Sequence, residues 1–245
     1  LDGSVYLSHM EKARQARGAA MPNNYTTEPL MYQGLSDSFL GPCEDAPFPS
    51  EEIGIDFEAE IGVIVDDVPM GINANDAIEH IKLVVLLNDF TARGLTKTEL
   101  PTGFVFVQSK PTNSLSPVAV TPAALGAHWC HHRVNLPVHT VINGRQLGSP
   151  NAGKDMFFSY PALIEHAART RRLSAGTIIG AGAVSNKDII DGYACIAEAR
   201  VEEQIASGSP VTPFLKFGDR VRLEVLAAPV DSVFGAIDQQ IVPLS

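Results

Sequence analysis

The sequence predicts one β-rich α+β domain over residues 1–245. Many short apolar or alternating segments are bounded by turn residues, and only about three stretches have helical periodicity. Strands and helices do not alternate regularly, as they do in a doubly wound parallel fold. Hydrophobic residues make up 45% of the chain and charged residues 19%, a balance typical of globular proteins. A chain of this length can bury a substantial core.

The first part of the chain predicts a helix at 4–17, which closes before a glycine, followed by loops and short strands over 18–52. A strand is predicted at 55–66 and a helix begins at 73–80. The apolar run 81–89 fits either a buried strand or the end of that helix, and its Val and Leu content favours the strand.

The second part predicts a hairpin at 136–149, because Asn143-Gly144 is a strong type I′ turn signal between two alternating segments. An amphipathic helix is predicted at 159–176, where basic residues and a glycine mark its end. The remaining predicted strands lie at 102–110, 116–122, 177–182 and 217–227, and an apolar segment closes the chain.

Charge and cysteine content exclude several classes of protein. With 28 acidic and 18 basic residues the net charge is -10, which argues against nucleic-acid binding. The three cysteines are widely spaced and predict no disulfide framework, so we expect a reducing, cytoplasmic environment. No apolar run approaches the roughly 20 residues of a membrane-spanning helix. Since the chain opens on Leu1, we expect that an N-terminal part is missing.

The strongest candidate site combines Glu58 and Glu60, which share one face of the strand at 55–66, with Asp89 at the end of another apolar segment. Three carboxylates form a hard-oxygen site suited to Mg²⁺, Mn²⁺ or Ca²⁺. On spacing alone a solvated strand face is the more common explanation. Asp56 adds a fourth acid on the same face, as an outer partner of the site or a loop contact.

Other motifs carry less weight. The segment HWCHHR at 128–133 has zinc-ligand residue types without paired spacing, and a surface turn is the better interpretation. No nucleophile elbow, phosphate-binding loop or dinucleotide-binding glycine motif occurs. Lys110 and Arg93 fit surface cations, yet beside an acidic metal cluster they would suit a substrate with a carboxylate and an enolate.

Four segments, taken in order, resemble the fumarylacetoacetate hydrolase family, and the resemblance runs from about residue 4 to the C-terminus. The segments are DFEAEIGVIV, NDFTAR, QSKP followed by SP, and LSAGTIIGAG. The resemblance implies a mixed β-roll, or sandwich, with a central divalent cation, Mg²⁺ before Mn²⁺ or Ca²⁺, usually in a homodimer. It implies Glu58, Glu60 and Asp89 as metal ligands. Arg93 and Lys110 would contact the substrate.

The same resemblance implies that residues 1–18 form a lid in which a histidine and a glutamate activate water. His9 fits the histidine. The family often has its glutamate three residues later, where this chain has Lys12, so Glu11 is the nearest acid. Residues two apart on a regular helix do not face each other, so this pair requires an irregular segment. Ala183 stands where the family commonly has a substrate-binding threonine.

These residues together predict a metal-dependent hydrolase that cleaves a carbon–carbon bond in a β-diketo acid, such as an acylpyruvate or a fumarylacetoacetate-like compound. Lys110 would also stabilise the oxyanion in that reaction. A 2-keto-acid hydratase, decarboxylase or isomerase would use the same metal-enolate site. A metal-binding family member with weak or no turnover is a third alternative. In each case the expected partner is a small keto acid.

Overall fold

The computed structural model describes residues 1–15, 18–37, 39–104, 106–228 and 231–244. The helices are α1 (Leu7–Gln15), α2 (Ala74–Ala77), α3 (Arg93–Glu99), α4 (Tyr160–Ala168) and α5 (Ile196–Ser207). The strands are β1 (Asp2–Ser4), β2 (Leu30–Tyr32), β3 (Ala46–Phe48), β4 (Ile55–Asp56), β5 (Ala59–Val65), β6 (Ile81–Asn88), β7 (Thr91–Ala92), β8 (Ser114–Leu115), β9 (Trp129–Cys130), β10 (Arg133–Val134), β11 (Val138–Ile142), β12 (Arg145–Gly148), β13 (Ile178–Gly180), β14 (Arg220–Ala228), β15 (Asp231–Ser232) and β16 (Ile237–Pro243).

One mixed sheet carries the residues of the candidate site. Its strand order is β2-β1-β13-β5-β6-β8, in which β1 and β13 are parallel and the other neighbours are antiparallel. Strand β5 lies inside this sheet, paired with β6 on one side and β13 on the other. Every side chain of β5 except that of Ile64 is buried, because the sheet is covered on both faces.

A second sheet has the order β12-β11-β14-β16-β3, and its β11 and β14 contact β5 and β6 of the first sheet. Residues from both sheets, including Ile61, Val63, Leu223 and Val225, belong to one buried apolar cluster, which α4 extends with Leu163. The predicted β-rich α+β fold with mixed sheets is confirmed.

Several local predictions are confirmed with shorter bounds. The run 81–89 forms a strand and the hairpin forms at 138–148, with Asn143 and Gly144 at φ 50° and 76° as a type I′ turn requires. The predicted first helix is α1, and residues 16–17 of that prediction lie outside the described residues. The amphipathic helix ends at Ala168, before its basic residues.

The strand predictions at 102–110 and 116–122 were wrong. Among the described residues of the first, a short 3₁₀ turn at Leu100–Thr102 is followed by a loop, where Phe104 and Val107 are 81% and 77% exposed. Since these two apolar side chains are exposed, the apolar content of the segment does not mark a buried strand face. Residue 105 of that prediction lies outside the described residues. Only an isolated bridge at Val120 occurs in the second. No helix in the described ranges is long and apolar enough to cross a bilayer.

The loop that leads to Lys110 is held by Glu99 at the end of α3. The Glu99 carboxylate accepts backbone N–H groups of Val107, Gln108 and Ser109 at 3.1, 2.7 and 2.9 Å, and also the Ser109 hydroxyl. Slight burial opposes ionisation, but these hydrogen bonds lower the pKa of Glu99 to about 2.

We expect Glu99→Gln to lower the thermal midpoint by about 2–4 °C at neutral pH, since a neutral amide accepts these N–H groups less strongly. Folding lowers the pKa of Glu99, so its stabilisation is present above its ordinary value of 4.5 and is lost as the pH falls through about 2. The difference between the two proteins should therefore shrink over that interval in calorimetry. The control is Glu165→Gln, which changes an exposed glutamate on α4. Equal midpoints for the wild type and both variants would exclude this role of Glu99.

Candidate active site and metal centre

Three carboxylates of the first sheet meet: Asp2 comes from β1, Glu60 from β5, and Asp89 from the residue after β6. Oxygen atoms of Asp2, Glu60 and Asp89 all lie within 4.8 Å of one another. The Gly182 backbone N–H donates to Asp2 and Glu60 at 3.2 and 3.1 Å. Burial and then mutual repulsion raise the pKa of Asp2 to about 6 and the pKa of Glu60 well above its ordinary range. Burial likewise raises the pKa of Asp89.

This carboxylate cluster fits a divalent cation. Glu60 Oε1 and Asp89 Oδ1 are buried and have no hydrogen-bond partner among the described residues. Buried carboxylates that repel one another are stable as anions only beside a positive charge. Oxygen-only donors suit Mg²⁺, Mn²⁺ or Ca²⁺. The donor set and its orphaned oxygens therefore meet the requirements of such an ion.

Gly180, on β13, leaves the space that two of these carboxylates occupy. A Cβ at this position would overlap Asp2 Oδ1 and lie 3.0 Å from Glu60 Oε2. We expect Gly180→Ala to weaken Mn²⁺ binding about tenfold to a hundredfold, because both carboxylates must move. Titration calorimetry measures the effect, and Gly41→Ala, whose Cβ would make only ordinary contacts, is the control. Unchanged affinity in Gly180→Ala would place the ion elsewhere.

Glu58 lies apart from that cluster and beside two cations. Its carboxylate is 2.6 Å from Arg93 Nη2 and 3.2 Å from Lys110 Nζ. Burial opposes ionisation, but Lys110 and then Arg93 hold the pKa of Glu58 well below its ordinary range. Lys110 also contacts Asp89 and, at 2.8 Å, the Thr91 hydroxyl. Lys110 Nζ thus joins Glu58 to the carboxylate cluster.

Arg93 is held in place by Asp56, which is fully buried. Arg93 Nε donates to Asp56 Oδ2 at 2.8 Å. The same carboxylate accepts the backbone N–H groups of Ile196 and Ala197 at 2.8 and 2.9 Å, and so caps the N-terminus of α5 from another element. Asp56 therefore fixes Arg93 and the first turn of α5 relative to each other.

His9, on α1, faces Glu198 on α5. Their closest atoms, Nδ1 and Oε2, are 3.6 Å apart. The other carboxylate oxygen, Oε1, accepts hydrogen bonds from Lys12 Nζ at 2.7 Å and from the Ser185 hydroxyl at 2.6 Å. Glu11 is exposed. The structure thus brings Glu198, and not Glu11, to the histidine, and Lys12 orients that glutamate.

One cavity of about 990 Å³ brings most of these groups together. Its lining includes Asp2, His9, Glu58, Arg93, Lys110, Ala183 and Glu198. A second cavity of about 520 Å³ shares Asp2, Tyr32 and Lys110 with the first and also reaches Asp89. Tyr32 closes this side by donating its hydroxyl to Asp89 at 2.9 Å.

Among the residues that the sequence assigned to catalysis, substrate binding or metal binding, Glu11 alone lies away from this region. The sequence motifs did not identify Asp2 or Glu198. No local pattern marks Asp2. Glu198 lies in α5, which could have been predicted as a helix from its strong helix-forming residues and from Gly208 at its end. The HWCHHR segment forms the β9–β10 turn, and within the described ranges it supplies no group of three metal ligands.

Comparison with known proteins identifies relatives of this chain. The chain is 27% identical over 226 residues to an oxaloacetate tautomerase, YisK, of Bacillus subtilis, which covers 91% of this chain and 64% of that protein. It is 26% identical to a 2,4-didehydro-3-deoxy-L-rhamnonate hydrolase of a Sphingomonas species over 64% of this chain and 53% of that protein. The chain thus spans less than two thirds of either relative.

The fold matches that of a fumarylpyruvate hydrolase from Pseudomonas aeruginosa, solved with Mn²⁺ and pyruvate, at a TM-score of 0.67 and 12% identity. The match covers 94% of this chain and 84% of that one. At the level of the family, the fumarylacetoacetate (FAA) hydrolase C-terminal profile matches residues 2–242. The protein therefore belongs to the fumarylacetoacetate hydrolase family.

Proposed function

We propose that this protein is a divalent-metal-dependent hydrolase that cleaves a carbon–carbon bond in a β-diketo acid of the acylpyruvate type. One observation carries the proposal: His9, backed by Glu198, lines the same cavity as Arg93, Lys110 and a carboxylate of the cluster. A base able to activate water and a site able to stabilise an enolate are the two requirements of this hydrolysis.

Asp2, Glu60 and Asp89 would hold the cation, and Glu58 is the candidate for a further ligand because Lys110 links it to Asp89. When bound, the ion would polarise the dicarbonyl oxygens and stabilise the enolate. We propose Mg²⁺ as the physiological ion, and the Mn²⁺ in the related hydrolase supports a divalent cation in general.

Arg93 and Lys110 bind the negative charge of the substrate and of the transition state. Burial opposes the charge of Lys110, but Asp89 and Glu58 raise the pKa of Lys110, so the ammonium persists at neutral pH. A preorganised cation of this kind stabilises a developing oxyanion without reorganising solvent. Arg93, fixed by Asp56, offers a guanidinium edge that suits the carboxylate of a keto acid.

His9 takes a proton from water at Nε2, while Nδ1 faces Glu198. The resulting hydroxide attacks the remote carbonyl carbon, the adjacent carbon–carbon bond breaks, and its electron pair becomes that of the enolate. Protonation of the enolate then releases a 2-keto acid and a carboxylic acid. Glu198 stabilises the imidazolium that forms, because its free oxygen lies 3.6 Å from Nδ1.

A second candidate activity is tautomerisation of a 2-keto acid such as oxaloacetate. The relative that covers 91% of the chain is an oxaloacetate tautomerase, and this reaction needs the enolate site but no attacking water. Ala183 also favours it, since residue 183 offers no hydroxyl with which to position a diketo acid.

The purified chain should be assayed with Mg²⁺, Mn²⁺ and EDTA on acetylpyruvate and on oxaloacetate. For a hydrolase we expect stoichiometric pyruvate and acetate, detected by NMR, and full loss of activity in EDTA. Enol–keto conversion of oxaloacetate without cleavage of acetylpyruvate would replace the first function with the second. Metal binding without conversion of any keto acid would rule out both. A homodimer and a cytoplasmic location stay predictions.

A further inference from the structure

A second group of potential metal ligands lies at the N-terminus of α5. Cys195 is the N-cap residue and Glu198 the third residue of that helix, so their side chains lie on the same side of the first turn. His9 reaches them from α1. A ring nitrogen of His9, Sγ of Cys195 and a carboxylate oxygen of Glu198 all lie within 4.8 Å of one another.

Two atoms of this group are buried without partners. His9 Nδ1 and Glu198 Oε2 accept or donate no hydrogen bond among the described residues. Glu198 is 3% exposed and Cys195 is fully buried. Because Lys12 and Ser185 both hold Oε1, the free oxygen of Glu198 is turned toward His9 and Cys195.

The donor types differ from those of the carboxylate cluster. Imidazole, thiolate and carboxylate are the ligands of Zn²⁺, and three protein ligands with a water molecule complete many zinc sites. Mg²⁺ and Ca²⁺ prefer oxygen donors and compete poorly for sulfur. The two groups of residues should therefore select different metals.

We propose that His9, Cys195 and Glu198 form a second metal site, selective for a soft or borderline divalent cation such as Zn²⁺, and that its occupation inhibits the enzyme. The binding part is independent of the proposed function. The inhibitory part rests on it, because a metal bound to His9 and Glu198 removes the pair that activates water.

Binding at this site exchanges a proton for the metal. Burial raises the pKa of the Cys195 thiol, and the nearby carboxylate of Asp56 adds to that rise. The thiol is therefore protonated before the metal arrives. The sulfur–hydrogen bond is replaced by a sulfur–metal bond and the proton leaves to the buffer, with no change in oxidation state.

The test uses the full chain saturated with Mg²⁺. Zn²⁺ binding is measured by competition with a chromophoric chelator, and Cd²⁺ is added separately to detect the ultraviolet thiolate-to-metal band. We expect the wild type to give this band, and Cys195→Ser to lose it and to bind Zn²⁺ at least about tenfold more weakly. Cys130→Ser, which changes an exposed cysteine, is the matched control and should behave as wild type.

Inhibition is measured on acetylpyruvate and oxaloacetate. Cys195→Ser should retain wild-type turnover without Zn²⁺ and resist Zn²⁺ at concentrations that inhibit the wild type and Cys130→Ser. If Cys195→Ser fails to fold, Cys195→Ala replaces it and the Cd²⁺ band of the wild type remains a direct readout. Absence of the band, or equal Zn²⁺ affinity in the Cys195 variants, would overturn the site. No turnover of either keto acid would instead refute the proposed function, since metal binding is read separately.

Discussion

Glu60→Gln is expected to abolish metal-dependent turnover, with kcat lower by about 10³-fold, equivalent to about 4 kcal/mol. Glu60 is fully buried within the carboxylate cluster, and an amide removes one negative charge without changing its shape. Burial and the neighbouring acids already raise the pKa of Glu60 well above its ordinary range. In the absence of metal the variant should therefore be at least as stable as the wild type.

The loss of metal binding in Glu60→Gln and its stability without metal can be measured in one experiment. Thermal unfolding with and without Mn²⁺ should show a metal-dependent rise of the midpoint in the wild type and none in Glu60→Gln. Glu165→Gln, which changes an exposed glutamate on α4, should keep the rise and the activity. A Glu60→Gln protein with normal metal-dependent turnover would remove Glu60 from the metal site.

His9→Asn is expected to lower kcat for acetylpyruvate by about 10²- to 10⁴-fold, the usual contribution of a general base. The affinity for Mn²⁺ should stay near that of the wild type, because the carboxylate cluster is formed by Asp2, Glu60 and Asp89 and does not include His9. Glu198→Gln should give a smaller loss, since it keeps the shape but not the charge that stabilises the imidazolium.

The chain offers a matched control for this pair. His166 lies 3.1 Å from Glu28 and does not line the large cavity, so His166→Asn removes a similar ion pair without touching the site. That variant should turn over acetylpyruvate as the wild type does. If His9→Asn hydrolysed acetylpyruvate at the wild-type rate, His9 would not be the residue that activates water. Loss of hydrolysis with retained oxaloacetate tautomerisation would show that only the water-dependent step needs it.

Some of the strands could be read from the chain because their signals are local. The run 81–89 and the Asn143-Gly144 hairpin have apolar content and turn chemistry that specify a strand and a type I′ turn without distant partners. The false strand at 102–110 has the same alternation, but Phe104 and Val107 are exposed and no strand pairs with its described residues. Alternation alone does not report which face is buried.

The sequence by itself identified Glu58, Glu60, Asp89, Arg93 and Lys110 as candidate site residues, because short motifs keep their spacing whatever surrounds them. The predicted strand at 55–66 is divided, however: Glu58 lies between β4 and β5, and only Glu60 lies on β5. Only the tertiary structure decided that Asp2 joins Glu60 and Asp89, and that Glu198 faces His9. In both cases the residues that meet are far apart in the sequence. Such contacts depend on the register of β1 against β13 and on the docking of α1 against α5. No local pattern encodes those long-range placements, since the core contacts that fix them involve the whole chain.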